Sequence, residues 1–232
     1  QGYPSRPVTL INPYPPGGGA DVLARALARE LSEIWRQPVI IESKPGGGTT
    51  IAAAFVARAN PDGYTLLYGT NGTHGINHAL YKNAGFNPRK DFEPVGRLSS
   101  IPAMLVVRPG LAATNVAELV KLLKAKPGSH SFASAGNGTT SHLTGEMFKA
   151  QAGVDAVHVP YKGGAPAMVD LIGGRVDFMI DVMPNTAPQV RGERVKALAV
   201  TSAQRLGSFP SVPTLMESGL EGFQVTAWDA VF

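Results

Sequence analysis

The sequence predicts an α/β protein built as two similar lobes, each a parallel-type sheet flanked by helices, with a ligand cleft between them. Three observations carry that prediction. Apolar β-branched runs alternate with amphipathic helical stretches to give a βαβαβ order in the first 70 residues. A second unit with the same rhythm starts near residue 102. Glycine-rich turns follow the strands, at the edge where open parallel sheets bind ligands.

In order, Val8 to Asn12 reads as a buried strand, and Asp21 to Trp35 as a helix with Leu23, Leu27, Leu31 and Ile34 on one face. Val39 to Ser43 is the next strand, Ile51 to Ala59 the next helix with Thr49 or Thr50 as N-cap, and Tyr64 to Tyr68 the third strand. Such an order implies parallel pairing with right-handed crossovers. In the second unit Met104 to Val107 is a strand, and Asn115 to Ala125 a helix capped by Thr114 and ended by Pro127-Gly128. Ser131 to Ser134 is again a strand, followed by a helix reaching about Ala152. The strand Val157 to Val159 and the helix Ala165 to Ile172, closed by Gly173-Gly174, come next. Val176 to Ile180 and Val195 to Val200 complete the strands.

Two turns, Pro15-Pro16-Gly17-Gly18-Gly19-Ala20-Asp21 and Lys44-Pro45-Gly46-Gly47-Gly48-Thr49-Thr50, each join a strand to a helix. Glycines permit positive φ and leave backbone N–H groups uncovered, and the following helix adds unpaired N–H groups and the positive end of its dipole. Gly69-Thr70-Asn71-Gly72-Thr73 and Ala135-Gly136-Asn137-Gly138-Thr139-Thr140-Ser141-His142 repeat the arrangement with hydroxyls. The pattern suits a small anion. A net charge of +4 favours anions mildly, and the scattered Lys and Arg residues form no stripe of the nucleic-acid kind. With 232 residues, 44% of them hydrophobic, the chain can bury one large core or two smaller ones. The absence of cysteine removes disulfides, thiolate metal sites and cysteine nucleophiles together. No run is long and apolar enough to span a membrane, and a start at Gln1 without a signal-peptide pattern fits a processed or trimmed chain.

Catalytic readings fare poorly. The glycine loops lack the Lys-Ser/Thr ending of a P-loop and the G-x-G-x-x-G spacing of a dinucleotide site. Ser134 in Phe132-Ala133-Ser134-Ala135-Gly136 lacks the first glycine of a nucleophile elbow, and Ser141-His142 reads as a capping serine beside a structural histidine. His74 and His78 have the spacing of a metal pair but no third ligand at a recognised distance. Asp21 is expected to cap N–H groups at its helix start. Asp181 ends an apolar run on the ligand edge, where a charge is costly unless paired. It can accept from a ligand ammonium or hydroxyl, or cap the neighbourhood of Asn185. Tyr14 and Tyr161 are either cleft walls with a polar tip or core edge, and Lys162 is expected at the surface.

These residues carry a resemblance. Pro13 to Asp21 with Ala24-Arg25, Lys44-Pro45-Gly46-Gly47-Gly48, Asp62-Gly63-Tyr64-Thr65-Leu66-Leu67, Gly138-Thr139-Thr140-Ser141-His142-Leu143, Val159 to Met168, and Pro213-Thr214-Leu215 with Glu217-Ser218-Gly219 strongly resemble the Bug family. These are the extracytoplasmic solute-binding receptors of tripartite tricarboxylate transporters, and the match runs essentially end to end. The resemblance implies a two-lobed periplasmic binding protein, type II-like, that closes on a small organic anion, typically a carboxylate, without catalysis or cofactor. Carried over by matching loop, the ligand contacts are Tyr14, Gly17, Gly18, Gly19 and Ala20; Thr70, Asn71 and Thr73; Ser134, Gly136, Thr139 and Thr140; and Asp181. In relatives that bind amino acids, a carboxylate at this last position resembles the partner of the ligand's ammonium.

The resemblance also implies membrane subunits of the transporter as partners, a periplasmic location and a monomer. A sensing receptor for a signalling partner, or an enzyme acting on a carboxylate, are the alternatives. Lobe one is expected over residues 1–101 and lobe two over 102–222, with 223–232 crossing back toward lobe one. Family members continue beyond the Ala227-Trp228 region, so about a quarter of the usual length is expected to be missing from a truncated, cleaved or incompletely represented chain.

Overall fold

The computed structural model describes residues 2–232, and the chain divides into two compact units. One runs to Ser99 and takes up Trp228–Phe232; the other is Ser100–Ala227.

In the first unit, β1 (Val8–Asn12), α1 (Gly19–Trp35), β2 (Val39–Ser43), α2 (Thr50–Val56) and β3 (Thr65–Thr70) form the expected βαβαβ. β1 lies between β2 and β3 and is parallel to both. Alternation along the strands sends Val8, Leu10, Leu66 and Tyr68 to the face that packs on Ala24, with Leu23 and Leu27 of α1 beside them. Ile11 and Leu67 go to the opposite face, against Ala52, Ala53 and Val56 of α2. Both faces are therefore covered, as a parallel sheet requires.

Two details differ from the sequence expectation. The buried stripe of α1 centres on Ala24 and Ala28, whose small side chains let the helix approach the sheet, whereas Ile34 is 73% exposed. Ten residues beyond Ala24, it has rotated about 80° off the buried direction at 3.6 residues per turn. α2 stops at Val56, and Thr49 stands at its N-cap with φ 85° and no side-chain capping bond. Beyond β3 the chain makes a π-type turn at Gly72–Ile76 and a short helix, α3 (Asn77–Leu80).

The second unit begins within β4 (Gly96–Val107) and continues through α4 (Val116–Ala125), β5 (Ser131–Ser134), α5 (Thr140–Ala152), β6 (Val157–Pro160), α6 (Gly164–Ile172), β7 (Phe178–Val182), α7 (Met183–Arg191) and β8 (Lys196–Val200). β5 is parallel to β6 and β7, as expected, but β4 is antiparallel to both β7 and β8, so this sheet is mixed. Leu105, Phe132, Phe178 and Ile180 pack on Leu119 and Leu123 of α4 and Phe148 of α5. Met104, Val106, Ala133 and Met179 pack on Ala167, Met168 and Leu171 of α6.

The N-cap of α4 is Asn115, one residue later than expected: its side chain accepts from Glu118 N–H at 2.9 Å, and the Glu118 carboxylate reaches back to Thr114 N–H at 2.7 Å. Finally β9 (Thr226–Val231) enters the first unit and pairs antiparallel with β3, Thr70 opposite Asp229.

Candidate functional site

The expected ligand residues lie at the carboxyl ends of the strands in each unit. In the first unit Asn12 closes β1, is fully buried, and accepts the Tyr14 N–H at 3.1 Å. Its Nδ2 donor is buried with no hydrogen-bond partner among the described residues. In the following loop, Gly17 N–H donates to Asp21 Oδ2 at 3.0 Å, and Arg25 Nε reaches the same oxygen at 2.8 Å. Asp21 thus occupies one of the loop's donors, an N–H ahead of the N-cap Gly18, and makes no side-chain capping bond at the helix start itself. The first intrahelical bond of α1 is Val22 N–H to Gly18 O, so the N–H groups of Gly19, Ala20 and Asp21 head the helix outside its own ladder.

At the end of β3 the Thr73 hydroxyl accepts Thr70 N–H at 2.8 Å and lies 3.0 Å from Thr70 O. Thr73 Oγ1 is also 2.9 Å from His74 Nδ1. Because the single Thr73 proton goes to Thr70 O, His74 Nδ1 carries the proton in the ring that donates to Thr73. His74 stacks on Phe232 with centroids 3.6 Å apart and meets Phe92 edge-on; burial holds its pKa down to about 4. It is a neutral core histidine, and among the described residues no group of three or more His, Cys, Asp or Glu side chains is gathered as a metal site. Asn71 Oδ1 accepts Trp228 N–H at 2.6 Å, tying β9 to this turn. Thr70 Oγ1 is buried without a partner among the described residues. Asp229, opposite Thr70 on β9, accepts from Ser99 Oγ at 2.9 Å, and burial raises its pKa.

The second glycine loop is closed on itself. Gly46, Gly47, Gly48 and Thr49 all have positive φ, and Asn77 Nδ2 from α3 donates to Gly48 O and Thr49 Oγ1, both at 2.9 Å. Thr49, 2% exposed in a conformation that β-branched residues avoid, is held there by that clamp.

In the second unit, the loop after β5 turns several amides inward. Ala135 N–H donates to Ser141 Oγ at 2.8 Å, Gly136 N–H to Ser134 Oγ at 3.2 Å, and Gly138 N–H to His142 Nδ1 at 3.2 Å. Thr139 caps α5 through His142 N–H and gives its own proton to Gly136 O at 2.6 Å. Thr140 opens the helix, half-buried. Ser134 Oγ is 2.6 Å from His158 Nε2, a serine and imidazole within proton-transfer distance. As a nucleophile Ser134 is poorly placed: it is fully buried and already accepts from Gly136.

Asp181 stands two residues beyond the Ala133 and Met179 pair of β5 and β7, so it shares the strand-end edge with this loop. It is 5% exposed, and Asn185 Nδ2 donates to its Oδ2 at 2.7 Å. Burial pushes its pKa up to about 6, against the hydrogen bonds from Asn185 and the Val182 backbone. The pair packs against Gly164 at the start of α6, where an added Cβ would lie 2.5 Å from Asp181 Oδ2. Tyr161 instead sends its hydroxyl to Asp170 at 2.8 Å. Asn12, Asn77 and His158 are the site-shaping residues that sequence reasoning passed over; a polar residue closing an apolar strand was the signal available for Asn12.

The family model described as the tripartite tricarboxylate transporter family receptor matches residues 23–232. Among solved structures, the chain is similar to the Rhodopseudomonas palustris protein Rpa4515 solved with adipate, at 38% identity and TM-score 0.97, covering 99% of this chain and 77% of that one. It is 41% identical to the periplasmic binding protein BugD, with TM-score 0.95 and coverage of 99% and 76%. MatC from Rhodopseudomonas palustris, solved with bound malate, is 37% identical with TM-score 0.95 and coverage of 99% and 78%. The chain spans 68% and 66% of the length of two curated relatives, each 40% identical to it, from Pseudomonas sp. (strain P51) and Agrobacterium vitis.

Proposed function

The chain belongs to the tripartite tricarboxylate transporter receptor family, and from that membership we propose that it is an extracytoplasmic solute-binding protein for a small organic carboxylate, which it delivers to transporter membrane subunits. Binding shifts the protein toward the form that the membrane partner distinguishes. The observation that carries the carboxylate reading is at the ends of the parallel strands β1 and β3, where Asn12 Nδ2 and Thr70 Oγ1 are buried without partners among the described residues, on the strand-end edge from which the chain leads into the unladdered N–H groups of α1. Donors of this kind hold an anion directly or through ordered water without a formal positive charge. Adipate and malate, bound by two relatives, make dicarboxylates the first class to try.

A second reading, an amino-acid ligand, is favoured by Asp181 alone. Asn185 takes one of its carboxylate oxygens, and a ligand ammonium at the other would lower the cost of the buried charge. Function as a binder rather than an enzyme is supported by the relatives and by the burial of Ser134.

Calorimetric titration with adipate, malate, a panel of amino acids and a neutral sugar tests both readings. Dicarboxylate binding weakened tenfold or more by Thr70→Val supports the first. Amino-acid binding abolished by Asp181→Ala supports the second, and no heat with any acid would refute the receptor proposal.

A further inference from the structure

The second unit holds four aromatic rings in one stack drawn from four elements, with Phe178 of β7 5.6 Å from Phe132 at its far end. Phe132 of β5 lies 4.7 Å from His158 of β6, and His158 lies 4.2 Å from His142 of α5, both pairs close to parallel. Each imidazole also makes one hydrogen bond into the loop after β5, and the two bonds hold different ends of it. His142 Nδ1 accepts from Gly138 N–H at 3.2 Å, whereas His158 Nε2 meets the Ser134 hydroxyl at 2.6 Å. Ser134 in turn accepts from Gly136 N–H, whose residue has φ 123°.

We propose that His142 and His158 are positioning residues of the carboxylate-binding loop: the stacked pair turns the Gly136 and Gly138 amides inward and so leaves Thr140 and the first amides of α5 as this strand end's donors to the ligand. The inference rests on the receptor reading above and deepens it by assigning the loop's geometry to side chains that do not themselves touch ligand. Only the ring with Nδ1 unprotonated can accept from Gly138, which places the His142 proton on Nε2. Burial favours that neutral form in both rings, holding His158 down to about 4 and lowering His142. Of the charged neighbours on α5, Glu146 opposes this and Lys149 assists it, and the two are paired at 3.1 Å. With both imidazoles uncharged, the loop offers an anion only dipoles.

The test uses His142→Phe and His158→Phe, which keep a ring in the stack but remove the acceptor, beside His142→Asn and His158→Gln, which restore a polar atom near Nδ1 and Nε2 respectively. Two readouts are taken on the purified chain: malate and adipate affinity by calorimetry, and the amide resonances of Gly136 and Gly138 in the ligand-free protein. We expect the Phe variants to bind at least tenfold more weakly with displaced Gly136 or Gly138 resonances, and the Asn and Gln variants to return both readouts toward wild type. Phe variants that leave both resonances in place, or displace them without loss of affinity, would overturn the proposal. If the unmodified chain binds neither acid, the receptor reading fails on its own. The resonances then still decide whether the histidines set the loop.

Discussion

Asp181 is a carboxylate from which the fold has removed nearly all water, and its stability contribution has a definite sign. The folded state holds the proton more tightly than the unfolded chain, with a pKa of about 6 against an ordinary 3.8. The protonated form therefore costs nothing extra below the lower value, and stability is lost as pH rises through about 6. Asp181→Asn should make the protein about 1–3 kcal/mol more stable than wild type at pH 8, the difference closing toward pH 4 in parallel urea denaturation curves. A gap independent of pH would show that the carboxylate is not buried as described. Gly164→Ala drives a Cβ to 2.5 Å from Asp181 Oδ2 and 2.7 Å from Asn185 Nδ2, and should cost about 1–3 kcal/mol by the same assay. Asp181 was legible in the sequence as a charge ending an apolar run. The unmatched donor of Asn12 was not, because whether a buried amide finds a partner depends on strands brought together from distant parts of the chain.

At the scale of elements, the glycine-rich loops were legible but their internal accounting was not. Three glycines after a strand announce a turn with positive φ, yet one loop is clamped by Asn77 of α3 and another fills its amides with Ser134, Ser141 and His142. Asn77→Ala removes both 2.9 Å bonds that hold Gly48 and Thr49, and should destabilise the protein by about 1–3 kcal/mol, with faster amide exchange confined to residues 46–50. Uniform exchange across the chain would count against a local clamp. The βαβαβ of the first unit followed from periodicity because β1 and β3 are buried apolar runs and β2 alternates half-buried with exposed residues. α7, which the sequence reading did not include, carries two prolines: Pro184 stands in the first turn, where no N–H is required, and Pro188 lies inside the helix. The antiparallel pairing of β4 escaped because strand direction leaves little mark on an apolar run.

For the whole molecule, a bound carboxylate acts on stability by mass action. At one hundred times its dissociation constant it should add about 2.7 kcal/mol, visible as a rise of about 5–10 °C in the melting midpoint of a chain this size. A neutral sugar at equal concentration should leave the midpoint unchanged, and a rise with sugar would point to nonspecific stabilisation. The family was legible from ordered motifs along the chain, whereas the choice of acid was not, since the unmatched atoms at the strand ends are set by tertiary contacts.

The return of β9 to β3 also bears on how the protein is made. Thr70 waits for a partner roughly 160 residues further along, and every element of the second unit leaves the ribosome before that partner does. The second unit can therefore reach its native state while β3 still presents an open edge, and the early chain has the longer exposure to misassembly and to chaperones.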